Sequence, residues 1–287
     1  MKNDSRLEAW VEQHRELLLI SSVLPLGKAY SVVESFERRR NAPDPAEHGA
    51  RVSRVASEVK QYADKRAREG AAAVGPLRTD RKPNASLNTR ATDKSRASTV
   101  QMGDLRAILG VNRERGTVHV EPFATTGEVA TYLDAQGLQL EATIEMEDAT
   151  LGGLVLAIGM TTHSHVSGLV HDTVEAYELV TAHGEVLRVT RDGEHADLFR
   201  ALPWSHGTLG LLVALELRVV PAPTHVRLVY RPFFDLDEYC REHERLLRSD
   251  SPPFFLEAQV FGRHRAVIIE GYLASREEVA SGRLPIN

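Results

Sequence analysis

Apolar positions along the chain change period several times, and each change predicts an element. Residues 4–40 carry a helical repeat that is broken near Pro25. A Pro-rich polar joint follows at 41–49. Over 50–70, Val52, Val55, Val59 and Tyr62 share one stripe, which predicts an amphipathic helix stopped by Gly70. The run AAAVG at 71–75 is short, apolar and glycine-terminated, and it predicts a buried strand. Segment 77–97 has almost no apolar residues and predicts a loop. The stretches 98–102 and 116–122 predict strands around a turn. In 125–137, Thr125 and Glu128 have capping-box spacing, and Gly137 suits the left-handed position after a helix end.

Further along, TLGGLVLAIGMTTHSHVSG at 150–168 opens with a glycine pair, continues apolar, and closes in hydroxyls and histidines. Alternation on both sides of Ala182-His183-Gly184 predicts a hairpin over 174–190. A short helix at 194–202, a turn at 203–210 and a strand at 211–221 come next. Residues 225–287 add a strand, a helix at 235–248 and two more strands. The order is mixed α+β, without the regular strand–helix alternation of a doubly wound sheet. The expected organisation is an N-terminal helical segment (1–44), a main domain (45–223) and a third, partial domain (224–287).

Composition narrows this picture. A chain of 287 residues with 42% apolar and 26% charged residues can build a packed core. A net charge of −5 offers no global case for nucleic acid as a partner. Cys240 is the only cysteine, so no intramolecular disulfide or cysteine-rich zinc site can form. It shares a helical face with Leu236, Tyr239, His243, Leu246 and Leu247, which predicts a buried structural thiol. The apolar stretch 17–26 is about half the length a membrane span needs, and it lacks the form of a signal peptide. Two readings stand for residues 1–40: a packing helix, or a peripheral membrane contact helped by Arg38, Arg39 and Arg40. The expected location is accordingly cytoplasmic or peripherally membrane-associated.

Candidate chemistry lies in the glycines. There is no G-x-G-x-x-G after a strand, no G-x-x-x-x-G-K-[ST] loop and no G-x-S-x-G elbow. Three glycine-bearing segments remain, at 75–83, 150–168 and 203–210. Together they could wrap a long ligand with a dianionic middle and a flat apolar end, and a flavin dinucleotide is such a ligand. Glycine lets main-chain N–H groups approach a pyrophosphate, and short hydroxyls at Thr161, Thr162, Ser164 and Thr208 suit a flavin edge. Segment 77–97 agrees in charge: Arg78, Arg81, Lys82, Arg90, Lys94 and Arg96 face only Asp80 and Asp93. The bland alternatives are local packing for the glycine pair and a solvated loop for the basic run. A metal site at His163, His165, His171 and Asp172 is a further alternative. His206 reads equally as a flavin-side donor or a turn residue.

The wording of these segments resembles a known family. The stretches 145–169, 171–190 and 205–221 resemble the FAD-binding oxidoreductases of the vanillyl-alcohol-oxidase type. Within that group, LRTDRKP (77–83), HVEPFATTGEV (119–129), AYELV (176–180) and DLFRALPWSHGTLG (197–210) resemble the delta-24-sterol reductases, whose plant members are called diminuto. The resemblance runs from about residue 45 to the end. It implies an α+β, PCMH-type FAD-binding domain of two α+β subdomains, followed by the start of a cap domain. It also implies noncovalent FAD, NADPH as electron donor, and reduction of a side-chain carbon–carbon double bond in a sterol or isoprenoid.

By motif match it places Thr79, Asp80, Arg81, Lys82 and Pro83 near the pyrophosphate. Thr150, Gly152, Gly153, Gly159, Thr161, Thr162 and Ser164 would lie along the dinucleotide, and Gly207, Thr208 and Gly210 near its adenine or flavin side. It names no catalytic acid. Ser167 stands where the family commonly has tyrosine, which removes a ring-stacking or proton-donating role there. The final stretch, 275–287, resembles a mid-chain stretch of longer relatives, so the cap is expected to be partial. A flavin module without turnover, and a flavin oxidase or dehydrogenase of a non-sterol substrate, are the alternatives.

Overall fold

The computed structural model describes residues 10, 13–18, 20, 21, 24–80 and 97–281. The chain divides into two compact units, Met1–Pro43 and Asp44–Asn287. In the first unit, helices α1 (Arg15–Leu18) and α2 (Leu24–Arg40) are described. Pro25 occupies the second position of α2, where its missing N–H costs nothing. Among the described residues, no helix is long and apolar enough to cross a membrane.

The second unit opens with α3 (His48–Glu69), which Gly70 ends as expected. The predicted strand at 71–75 is instead a one-turn helix, α4 (Ala71–Val74). A four-residue apolar run fits either element, and alanine favours the helix. The segment expected to be only loop begins with a strand, β1 (Leu77–Thr79), which pairs in parallel with β2 (Ser98–Val100). The basic residues Arg81, Lys82, Arg90, Lys94 and Arg96, and Pro83, lie outside the described residues.

A larger antiparallel sheet follows. It comprises β3 (Ile108–Asn112), β4 (Thr117–Val120), β5 (Leu138–Leu140), β6 (Val174–Val180), β7 (Val186–Thr190) and β8 (Leu211–Pro221). The order is β3-β4-β8-β6-β7, with β5 pairing β8 off that path. The hairpin expected around Gly184 is β6–β7, running from Ala176↔Thr190 to Val180↔Val186. Helix α5 (Thr126–Asp134) has the expected capping box, with Thr125 and Glu128 each accepting from the other's backbone N–H. Gly137 follows at φ 69°.

Both faces of the sheet are covered. One carries Val118, Val120, Leu215, Leu217 and Tyr177, packed with Val129 and Leu133 of α5 and with α6 (Leu151–Leu156). The other carries Val180 and Val213 against Val52, Val55 and Val59 of α3, joined by Leu77, Val100, Met102 and Leu105. Each fully buried valine contributes roughly 1.5–3 kcal/mol, so the stripe read from the sequence holds α3 in place.

Short helices α7 (Ser164–Ser167) and α8 (Ala196–Ala201) sit in the connections. A third sheet, β10-β11-β9, is built from β9 (His225–Phe233), β10 (Phe255–Gly262) and β11 (Arg265–Ala274), followed by α10 (Arg276–Ala280). Helix α9 (Leu236–Leu247) packs on one face of this sheet through Leu246 and Tyr239, against Phe233, Leu256, Ala266 and Ile268. Cys240 is exposed, contrary to the expected buried thiol. The sheet covers a stripe narrower than the apolar arc of α9, and Leu236 and Leu247 are exposed as well.

Candidate functional site

The glycine pair splits into two roles. A Cβ on Gly152 would lie 2.6 Å from Pro122 Cβ and 2.9 Å from its carbonyl oxygen. The Gly152 N–H donates to that same carbonyl at 2.8 Å, and the Leu151 N–H donates to Ala124 at 3.0 Å. Gly152 is therefore small because the 121–124 segment lies against it. Gly153 differs: a Cβ there would meet only the Thr150 hydroxyl, at 3.0 Å. Gly159 is closed off by Val170, whose Cγ2 would lie 2.7 Å from a Cβ. On either side of it, Ile158 and Met160 expose large apolar side chains.

Segment 203–210 is joined to this one, because the His206 N–H donates to Leu156 O at 2.8 Å. Two non-glycine residues here are left-handed, Trp204 at φ 66° and His206 at φ 51°. Such backbone costs about 1–3 kcal/mol per residue, and it clusters at functional sites. Gly207 follows at φ 76° with nothing within 4 Å of a Cβ, so main chain is open to approach there. The Thr208 hydroxyl donates to Ser205 O at 2.7 Å. Gly210 brings its backbone to Val180 O. The exposed Trp204 ring meets the His171 ring edge-on, with centroids 5.8 Å apart. Sequence reasoning passed over Trp204, although an aromatic set between Pro203 and Gly207 was a readable signal.

In the third segment, Leu77 packs in the same cluster as Phe123, Val180 and Leu211, the last of these adjoining Gly210 in sequence. Asp80 caps the turn after β2: its carboxylate accepts from Met102 N at 2.9 Å and Gly103 N at 3.2 Å. Residues 151–156 pack in the cluster on the other face of the sheet, and Arg81, Lys82 and Pro83 lie outside the described residues.

Residues 161–165 face the three-stranded sheet. The Thr161 hydroxyl donates to Thr143 O at 2.7 Å, and the Thr161 N–H donates to Ser164 Oγ at 2.9 Å. Both hydroxyls shape the loop before any ligand is considered. The Leu256 N–H donates to Thr162 O at 2.8 Å, and His165 Nε2 lies 2.8 Å from Pro253 O. His163 is buried, stacked on Phe254 at 5.1 Å and edge-on to Phe255 at 5.3 Å. Burial pushes its pKa down, so the ring is neutral at pH 7, and Nε2–H donates to Glu141 O at 3.0 Å. The histidines proposed as metal ligands are engaged separately in this way. Among the described residues, no group of three or more His, Cys, Asp or Glu could hold a metal ion.

The sheet face opposite α9 is apolar and open. Val226, Leu228, Tyr230 and Leu273 are exposed on it, and Phe255 lies across Gly271 beside them. A surface hollow on the α9 side is lined by Phe233, Glu238, Arg241 and Glu242, and by no residue of the glycine segments. It is a groove between a helix and a sheet, bordered by the Arg245–Glu242 pair, and it has no main-chain cradle.

The chain matches the FAD-binding 4 family model, an FAD binding domain, over residues 84–190. It is 35% identical to the Arabidopsis thaliana Delta(24)-sterol reductase over 303 residues, covering 98% of this chain and 52% of that protein. These matches give the chain an FAD binding domain and a sequence similar to that of the Delta(24)-sterol reductases. The human Delta(24)-sterol reductase is 38% identical over 179 residues, covering 62% of this chain and 34% of that one. The chain thus spans about half the length of its plant relative. Among solved structures, alkyldihydroxyacetonephosphate synthase superposes with a TM-score of 0.58 at 16% identity, over 72% of this chain and 44% of that one, which shows the shared fold. The family model covers the glycine pair, the 161–165 loop and the β6–β7 hairpin, and stops before Trp204.

Proposed function

We propose that the chain binds FAD noncovalently along its three glycine-bearing segments. As an oxidoreductase it would reduce a side-chain carbon–carbon double bond of a sterol or isoprenoid, with NADPH as the electron donor. The observation that carries this reading is the link from Leu156 O to His206 N, which ties the open main chain at Gly153 to that at Gly207. The residues present fit the cofactor: two glycines leave backbone approachable, and Ile158, Met160 and Trp204 offer apolar surface for flat rings. Arg81 and Lys82 supply positive charge for the pyrophosphate. Bound FAD supplies the chemistry of accepting a hydride and passing it on.

The chain's own part is to hold, orient and exclude water. Thr161 and Ser164 fix the loop, and the open sheet face at Val226, Leu228, Tyr230 and Leu273 is suited to an apolar substrate. The first unit fits the same picture. Leu26, Tyr30, Val33 and Phe36 fall on one stripe of α2, which supports a peripheral apolar contact for residues 1–40.

Anaerobic titration of the purified protein tests the proposal. We expect a yellow protein whose flavin absorbance is bleached by NADPH and restored by a sterol with an unsaturated side chain. A protein without a releasable chromophore after incubation with FAD sinks the cofactor assignment. A flavin that NADPH does not bleach sinks the donor, and one that the sterol does not reoxidise sinks the substrate class.

A further inference from the structure

Four N–H donors converge on one carboxylate that the reaction above does not use. Glu121 is fully buried. Its Oε1 accepts from His48 Nδ1 at 2.8 Å, Arg51 Nε at 3.0 Å and Arg51 Nη2 at 2.8 Å. Its Oε2 accepts from Ala107 N at 2.6 Å. Arg51 is itself buried, and its remaining arm donates to Asp44 O at 2.9 Å. Removing either partner would leave an uncompensated buried charge, the costly case for ion pairs.

The main chain beside this carboxylate leads to the glycine pair. The Glu121 N–H donates to Ala107 O and the Phe123 N–H to Leu105 O, both at 2.9 Å. The same segment offers Pro122 O to Gly152 N and Ala124 O to Leu151 N. It continues with Thr126 N to Ala149 O and Gly127 N to Glu147 O. Residues 121–127 therefore form a shelf. On one side it is anchored to helix α3 and residues 105–107, and on the other it carries the turn that opens α6. Pro122 sits where a Cβ of Gly152 would be, so the turn follows the shelf with no slack.

We propose that Glu121 is a positioning residue for the cofactor. Its carboxylate fixes the Pro122 shelf, and through it the position of Gly152 and the open main chain of Gly153 that faces the dinucleotide. The proposal rests on FAD binding at that turn. The site requires a pure acceptor: an amide in its place has one oxygen for four donors and turns its NH₂ towards N–H groups. Glu178 is the natural control. It lies in the same cluster, 3.5 Å from His48 Nε2 and 3.3 Å from His119 Nε2, and its side chain has no part in the shelf.

The test compares wild type, Glu121→Gln, Glu178→Gln and Arg51→Lys as full chains. Three quantities are measured for each: apoprotein melting temperature, FAD dissociation rate, and the visible circular dichroism of the bound flavin. Glu121→Gln is expected to speed FAD loss about tenfold or more and to alter the flavin spectrum. Arg51→Lys, which keeps charge and loses the two-pronged contact, covers the case in which Glu121→Gln does not fold, and is expected to fall between wild type and Glu121→Gln. Glu178→Gln should lower the melting temperature yet leave the dissociation rate and spectrum of wild type. If FAD loss simply tracks melting temperature across all variants, Glu121 is structural only and the proposal is overturned. A wild type that binds no FAD overturns the cofactor reading itself, and the inference with it. Those two failures are told apart by the wild-type titration alone.

Discussion

Residues 152 and 153 are chemically identical and physically opposite. Gly152 has Pro122 where its side chain would be, whereas Gly153 has only the Thr150 hydroxyl within reach. Gly152→Ala should cost about 1–3 kcal/mol, because the shelf or the helix must shift to admit a methyl group into a filled space. Gly153→Ala should leave apoprotein stability within about 0.5 kcal/mol of wild type. Gly153→Val should abolish FAD retention while the apoprotein still melts cooperatively. Paired urea melts and flavin-retention assays read both quantities. Normal retention by Gly153→Val would remove that residue from the cofactor's path. The sequence displayed the pair, the hydroxyls after it and the absence of nucleotide loops. It could not separate the two glycines, because what lies against Gly152 alone is supplied by residue 122, some thirty positions away.

Elements whose signals are local were legible, and those decided by a neighbour were not. The capping box at Thr125–Glu128, the stop at Gly70 and the hairpin at Gly184 are written in adjacent residues. Strand β3 is not legible because Gly110 interrupts its pattern at a register shift, and the exposure of Cys240 is not legible because only the sheet decides which stripe of α9 is covered. The electrostatic docking of α3 was equally invisible, since His48 meets Glu121 and Glu178 from across the fold. The hydrogen bond to Glu121, and then the Glu178 carboxylate 3.5 Å from Nε2, push the His48 pKa up to about 9 from 6.5. His119 and His48 together pull Glu178 down to about 2 from 4.5. Among the described residues, the His119 ring also faces His48, and Arg51 shares Glu121 with it.

A raised histidine pKa stabilises fully below its unfolded value and loses that contribution as pH rises through the folded one. A depressed carboxylate stabilises above its unfolded value and loses its contribution as pH falls through the folded one. Both contributions are therefore complete only between pH 4.5 and 6.5. We expect the urea midpoint to peak there and to decline towards pH 9, by on the order of 2 kcal/mol. His48→Gln should flatten the alkaline limb, and an unchanged limb would assign the decline to other groups.

For the second unit as a whole, the consequence is that the 161–165 loop and the three-stranded sheet share one set of contacts. Thr162 O holds Leu256 N, His165 reaches Pro253 O, and the His163 ring is enclosed by Phe254 and Phe255. A ligand that orders residues 150–168 must therefore restrict the start of β10, because separating them breaks a backbone hydrogen bond and unstacks a buried ring. The general fold was legible from element order, and the resemblance supplied the cofactor. This junction was not legible, since it pairs residues about ninety positions apart whose side chains serve equally well in a metal site or a core.

Hydrogen exchange tests it. FAD should slow exchange of the Leu256 amide and its β10 neighbours as well as of residues 150–168, with each tenfold slowing equal to about 1.4 kcal/mol of added protection. Phe254→Ala should break the link, leaving FAD bound and residues 150–168 protected while β10 exchanges as in the apoprotein. If FAD protects the glycine segments alone in the wild type, the sheet is a neighbour without being coupled, and the apolar face at Val226, Leu228 and Tyr230 loses its claim to respond to the flavin.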